Sequence, residues 1–107
     1  MSINSIIINA LKTLGVPVSF QNYKGSATTY IRFFEYNQNG ALHGDDQELK
    51  SAHFIQVDIF SKGDYTELTN QVKQKLKEIG FIRTMETEMY ERDTDFFHKV
   101  IRFNFVQ

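Results

Sequence analysis

Phe81 to Gln107 reads as two long strands joined at Arg92-Asp93-Thr94-Asp95, and the parity of their apolar residues restricts what the rest of the chain can build. Apolar side chains sit at odd positions on both sides of the turn: Phe81, Met85 and Met89 before it, Phe97, Ile101, Phe103 and Phe105 after it. Strand side chains alternate between faces, so opposed residues share a face and their numbers must sum to an even value. The loop therefore has an odd length, or the hairpin contains a bulge. A three-residue loop at Asp93 to Asp95 meets this condition. It sets Met85 opposite Phe103 on the buried face and Glu86 opposite Arg102 on the other, an ordinary cross-strand ion pair.

A hairpin of this length must cover its apolar face, and the preceding residues supply the cover. Tyr65, Leu68, Val72, Leu76 and Ile79 form an apolar stripe at helical spacing over 65–79, with Asn70, Lys73, Gln74 and Lys77 opposite. Asp64 and Glu67 read as a variant capping box, and Gly80 stops the helix. His53 to Ser61 alternates Ile55, Val57 and Ile59 with Phe54, Gln56, Asp58 and Phe60, the period of a half-buried strand. Thr29 to Asn37 is dense in β-branched and aromatic residues and reads as another. Between them, Gln38 to Ser51 is polar, with Gly40, Gly44 and Asp45-Asp46, and reads as a long mobile loop.

At the start, Ile3, Ile6, Ile7, Ala10, Leu11 and Leu14 recur at helical spacing, with Ser2 as N-cap and Gly15 and Pro17 as the stop. Val16 to Phe20 suggests a short strand, and Gln21 to Ala27 a turn. The order is α, a short β, then β, β, α, β, β. The expected class is α+β: an antiparallel sheet of about four strands with both helices on one face.

With 107 residues there is room for a single domain, 1–107, with one core. Hydrophobic residues at 41% and charged residues at 23% argue against disorder and coiled coil. A formal net charge of −1 lacks the electrostatic footprint of a general nucleic-acid binder. The absence of Cys excludes disulfides, thiolate metal sites and cysteine nucleophiles. The longest apolar run, Ile6-Ile7-Ile8, is far short of a membrane span of about 20 residues. Ser2-Ile3-Asn4 lacks the positive charge that opens a secretory signal, so the chain is expected in the cytoplasm at synthesis.

No chemistry-bearing motif appears. His43, His53 and His98 lie on different elements without metal-ligand spacing. His43 with Asp45 and Asp46 lacks the carboxylate pattern of a calcium loop. The serines have no nucleophile-elbow context, and Glu86 and Glu88 fall on the outward face of their strand. Scattered glycines make no phosphate cradle. The expectation is a protein with no catalytic site, cofactor or metal. The anomaly is apolar. If Ile31 and Phe33 face the core, Tyr30, Phe34 and Tyr36 form an outward aromatic row beside Phe54 and Phe60, and a contiguous patch of this kind marks a binding surface. The opposing reading is that the 38–51 loop or the N-terminal segment folds back over it. Arg32 among the rings also suits stacking of single-stranded RNA bases, although the basic patch such binders carry is missing.

Four segments carry a likeness to a known family: the helix ending in Gly15-Val16-Pro17, the strand with Tyr30-Ile31-Arg32, HFIQVDIFSKGDY at 53–65, and ERDTDFFHKVIRFNF at 91–105. The chain resembles the tail completion, or tail-to-head joining, proteins of long-tailed bacteriophages and prophages, including the tail terminator family. The resemblance implies a non-catalytic virion structural protein at the head-tail junction, present in the host cytoplasm before assembly. Its implied partners are further copies of itself in a ring, commonly a hexamer although a monomer in isolation is compatible, together with the tail tube protein and the head connector protein. No membrane and no specific nucleic acid are implied. Tyr30, Arg32, Phe34, Tyr36 and Phe60 are the candidate intersubunit residues, and the segment with His43, Asp45 and Asp46 is expected to reach a neighbouring ring or the tube lumen. The alternatives are another head-tail connector or neck component, a sheet-surface RNA-binding module, and a small-molecule enzyme with a concave pocket of convergent titratable groups.

Overall fold

The computed structural model describes the backbone of residues 2–44 and 47–107 and the side chains of residues 2–36 and 52–107. Helix α1 (Ile3–Leu11) runs into a single 3₁₀ turn at Lys12–Leu14. It is followed by β1 (Val18–Phe20), β2 (Thr29–Gly44), β3 (Gln47–Ser61), α2 (Thr66–Glu78), β4 (Ile82–Glu91) and β5 (Phe96–Val106). The strands form one sheet in the order β1-β2-β3-β5-β4.

The class is α+β, but the sheet has five strands and is mixed, where about four antiparallel strands were expected: β1 pairs with β2 in parallel. A parallel neighbour normally needs a helical crossover. Here β1 has only three residues, roughly 10 Å of strand, so the loop at 21–28 returns the chain unaided. Gln21, at φ 64, makes the reversal, and its N–H donates to the Phe33 carbonyl at 2.8 Å.

Both helices cover one face. Ile3, Ile7 and Leu11 of α1 and Val72 and Leu76 of α2 pack against Ile31, Phe33, Ile55, Val57, Ile59, Ile101 and Phe103. Each such side chain contributes about 1.5–3 kcal/mol by leaving water. Ser2 caps α1, its Oγ accepting from the Ser5 N–H at 3.2 Å. At α2 the capping box is corrected. Tyr65 occupies the cap position without a side-chain bond, and Asp64 instead accepts from the Thr66 N–H at 2.9 Å and hydroxyl at 2.8 Å, an Asx turn.

The expected loop at 38–51 is also corrected. The β2–β3 ladder runs from Thr29 opposite Ser61 to Gly44 opposite Gln47, with register shifts around Tyr36, Ala41 and Leu42. Bulges break the alternation that identifies a strand, and the Gly, Asn and Asp content lowers β propensity. The pairing of β5 on β3 stops at Ala52 opposite Val106, so the ribbon beyond it is an arm with no sheet beside it. The molecule measures 52 × 26 × 23 Å.

In the C-terminal hairpin the bulge alternative holds. The loop is Arg92–Asp95, four residues rather than three, and a register shift between Arg83 and Met85 restores parity. Met85 therefore faces Arg102, not Phe103, and Glu86 faces Ile101, not Arg102. A one-residue slip exchanges faces. Glu86 and Glu88 consequently lie on the helix side, and Met85 and Met89 on the other.

Candidate functional site

The face of the sheet away from the helices is lined by even-numbered residues of β2, β3 and β5. Ile31 and Phe33 are fully buried against the helices, so Tyr30, Arg32 and Phe34 must point the other way. Here a row of rings crosses the strands. Tyr23 stacks on Tyr30 at 4.2 Å, Tyr30 on Phe60 at 4.8 Å, and Phe60 on His98 at 4.1 Å. The Tyr30–Phe60 and Phe60–His98 separations follow the spacing between neighbouring strands. Phe96 closes the row edge-on against Tyr30 and Phe60. Tyr23 is held by its own loop, since the Ala27 N–H donates to its hydroxyl at 2.9 Å. Gly25 lies so close that a Cβ there would overlap that hydroxyl.

Next to this row is a charged network. Asp58 has no solvent exposure and accepts four hydrogen bonds: from Arg32 Nε and Nη2 at 3.1 and 2.9 Å, Gln56 Nε2 at 3.0 Å and His98 Nε2 at 2.9 Å. Burial by itself pushes the Asp58 carboxyl up, but the bonds from His98, Gln56 and Arg32 outweigh it and hold it below the ordinary carboxylate value. The Arg32 guanidinium also lies 5.0 Å above the Phe60 ring. Tyr30, Arg32, Phe60, Met89, Phe96 and His98 contribute to a shallow depression of about 470 Å³.

Towards the arm the surface is more open. Tyr36 is 39% exposed, lies 6.0 Å from Phe54 and carries the Arg102 guanidinium at 4.7 Å above its ring. Arg102 Nε donates to Gln56 Oε1 at 3.1 Å.

A second concavity lies on the helix side, between α2 and the bulged start of β4. This groove of about 680 Å³ is lined by Lys73, Lys77, Phe81, Ile82, Arg83 and Phe103, with no carboxylate in its lining among the described residues. Glu86, beside it, binds Lys73 at 3.1 Å, Arg83 at 2.9 Å and Lys99 at 3.3 Å. Burial pushes the Glu86 carboxyl up, and the lysines bring it below the ordinary value.

Of the residues singled out from sequence, Tyr30, Arg32, Phe34, Tyr36 and Phe60 share the helix-free face. Phe60 is only 5% exposed, so it supports the row and offers little surface of its own. Among the described residues, the rings packed over Tyr30 and Phe60 are those of Tyr23 and Phe96, and the side chains of the arm fall outside the described residues. His43 lies on the arm, opposite Glu48 in the ladder, and Asp45 and Asp46 fall outside the described residues. Tyr30 has a ring stacked on each face, which leaves no face for a nucleotide base and counts against base stacking there. Sequence reasoning missed Tyr23, Asp58, Phe96, His98 and the basic groove. The signal for Asp58 was present: a lone carboxylate between Phe54 and Phe60, at the position that a regular hairpin sets opposite Arg32.

The two-helix, mixed five-stranded α+β fold defines the class that this surface belongs to. No protein-family model matches the chain, and no curated protein matches its sequence. Among solved structures, it is similar to a chain from the virion of a native gene transfer agent particle, with a TM-score of 0.66 over 96% of this chain and 92% of that one, at 10% identity. At that identity the likeness is one of fold.

Proposed function

We propose that this chain is a virion structural protein that caps the tail tube of a phage-like particle and forms part of its head-tail junction as a ring of identical subunits. The observation that carries this reading is the likeness, nearly end to end, to a chain of a gene transfer agent virion. The surface supports it. A contiguous aromatic face and a projecting arm are different surfaces on one subunit, and a cyclic ring needs two different complementary patches on each copy. The role is one of assembly, without catalysis or a cofactor. Its partners are other copies, the tail tube protein and the head connector protein, and its place is the virion.

Phe34 and Tyr36 are the contact residues on this face, because Tyr30 and Phe60 are spent on internal stacking. The double substitution Phe34→Ser, Tyr36→Ser is expected to leave the melting temperature within a few degrees and to abolish incorporation into particles. Unchanged incorporation rejects the assignment. The role itself is tested by negative-stain microscopy of particles from a strain lacking the protein, beside the complemented strain. Tails of irregular length support tube capping, and normal tails unable to join filled heads support another connector position. Normal infectious particles overturn both.

A further inference from the structure

We propose that the hairpin tip at Arg92–Asp95 of one copy docks on the Arg102 end of the helix-free face of a second copy, with the Asp93 carboxylate on the Arg102 guanidinium. The inference rests on the ring-forming reading above and gives its aromatic face a complement.

Arg102 is held in place before any partner arrives. Its Nε donates to Gln56 Oε1 at 3.1 Å, and its guanidinium lies 4.7 Å above the Tyr36 ring. Gln56 is fixed in turn by donating to the buried Asp58 at 3.0 Å. Arg32 and Arg83 have the carboxylates of Asp58 and Glu86. Arg102 is exposed and has no carboxylate partner among the described residues. Its two Nη groups present a planar fork that matches a carboxylate. Because the chain has already ordered this guanidinium, less entropy is lost when it is engaged. The face around it is apolar. Tyr36 is exposed, Ile82 is 67% exposed, and the ladder sets Ile82 and Met85 on the same side as Arg102. Such a surface fits an acidic group flanked by apolar side chains. A nucleic-acid backbone needs several cations in a row, and this end of the face offers one.

The chain carries such a group at the other end of the same hairpin. Glu91, Asp93 and Asp95 stand against Arg92 and against Lys62, which lies 5.2 Å over Phe96, so three carboxylates against two cations leave the tip negative. Glu91 lies 3.8 Å from His98, and Asp95 accepts from the Tyr90 hydroxyl at 2.9 Å. Asp93 is exposed and has no partner among the described residues. At the base of the tip stand the exposed rings of Tyr90 and Phe97, 5.0 Å apart. Along β5, Phe96 and Arg102 are separated by roughly 20 Å at strand rise, so a copy's tip cannot reach its own Arg102. The occupant is therefore another copy. Tip and Arg102 surface are different, so each copy gives one and receives one, the head-to-tail contact from which closed rings are made. Opposite charge fixes the register of the contact.

Two single substitutions in the whole protein test this at low salt, where charge pairing is least screened. Arg102→Gln removes the receiving cation, and Asp93→Lys reverses the tip. Each alone is expected to weaken self-association at least about tenfold by sedimentation. Either variant keeps one intact surface, so an equimolar mixture is expected to form mixed pairs, through Arg102 of the tip variant and Asp93 of the other, and nothing larger. Circular dichroism and melting establish that each variant is folded. Rescue on mixing separates a contact from lost support of Tyr36, because the rescued contact uses no residue that Arg102→Gln disturbs. Self-association indifferent to both substitutions overturns the contact, as does a loss that mixing does not restore; a ring would then stand on other surfaces. A wild type that stays monomeric up to about millimolar concentration also overturns it. Binding of DNA or RNA that disappears with Arg102→Gln overturns it in favour of a phosphate ligand. The ring reading itself falls only if particles lacking the protein are normal.

Discussion

A carboxylate without solvent exposure is costly unless its lone pairs are filled, and Asp58 meets that condition through Arg32, Gln56 and His98. An ionised carboxylate only accepts, so His98 carries its proton on Nε2. Asp58→Asn is expected to cost about 2–3 kcal/mol at pH 7 in urea denaturation. This is less than the 3–5 kcal/mol of a wholly buried pair, because the Arg32 side chain is 31% exposed and can be rehydrated. The Asp58 carboxyl lies below its ordinary value of 3.8 in the folded protein. Its contribution is therefore complete above that pH and is lost as pH falls through the lower, folded value. The gap between wild type and variant is expected to narrow below about pH 4, and a gap constant from pH 7 to pH 2.5 would show that Asp58 is not held ionised. Of this network, only the placement of Asp58 opposite Arg32 had a signal in the sequence; the bond from His98 did not, because it requires β5 to lie beside β3. What could also be read was the parity of Tyr30, Phe34 and Phe60, which follows from strand geometry alone.

At the scale of elements, the bulge at Thr84 allows an even loop at Arg92–Asp95 to coexist with Phe81 in the core. Deleting Thr84 leaves a regular ladder in which every remaining side chain of β4 keeps its face. Deleting Thr87 also leaves a regular ladder, since the bulge absorbs the shift, but Met85 and Glu86 exchange faces and Glu86 loses Lys73 and Lys99. Thermal unfolding is expected to place the Thr84 deletion within about 1 kcal/mol of wild type and the Thr87 deletion about 2–3 kcal/mol below it. The reverse order would contradict this register. The even-sum argument identified the two ways to satisfy the hairpin without choosing between them, because bulges have no fixed sequence signature. Helix α2 was legible to within a residue at each end, its stripe and Gly80 being local signals. The arm was not, since cross-strand pairing rather than apolar alternation makes it a ribbon. The basic groove was hidden as well: Lys73 and Lys77 read as a solvated helix face until Arg83 is brought opposite them.

For the whole molecule, arm and body are separable in stability. Asn39 and Ala52 are paired, so replacing residues 40–51 by Asn-Gly closes β2 and β3 through a two-residue turn. The shortened protein is expected to melt within a few degrees of wild type, to shrink to a radius of gyration of about 13 Å by small-angle scattering, and to lose assembly. A large fall in melting temperature would mean that the arm supports its own domain. The sheet order also has a consequence for synthesis. β5, which follows every other strand in the chain, lies in the interior between β3 and β4, and its Ile101 and Phe103 are core residues. On a ribosome, the β2–β3 hairpin can close early, but the half of the sheet beneath α2 has no centre until Val106 has left the exit tunnel. Fragments cut short by stalled translation therefore lack the strand that joins the two halves of the sheet, and with it Ile101 and Phe103 of the core.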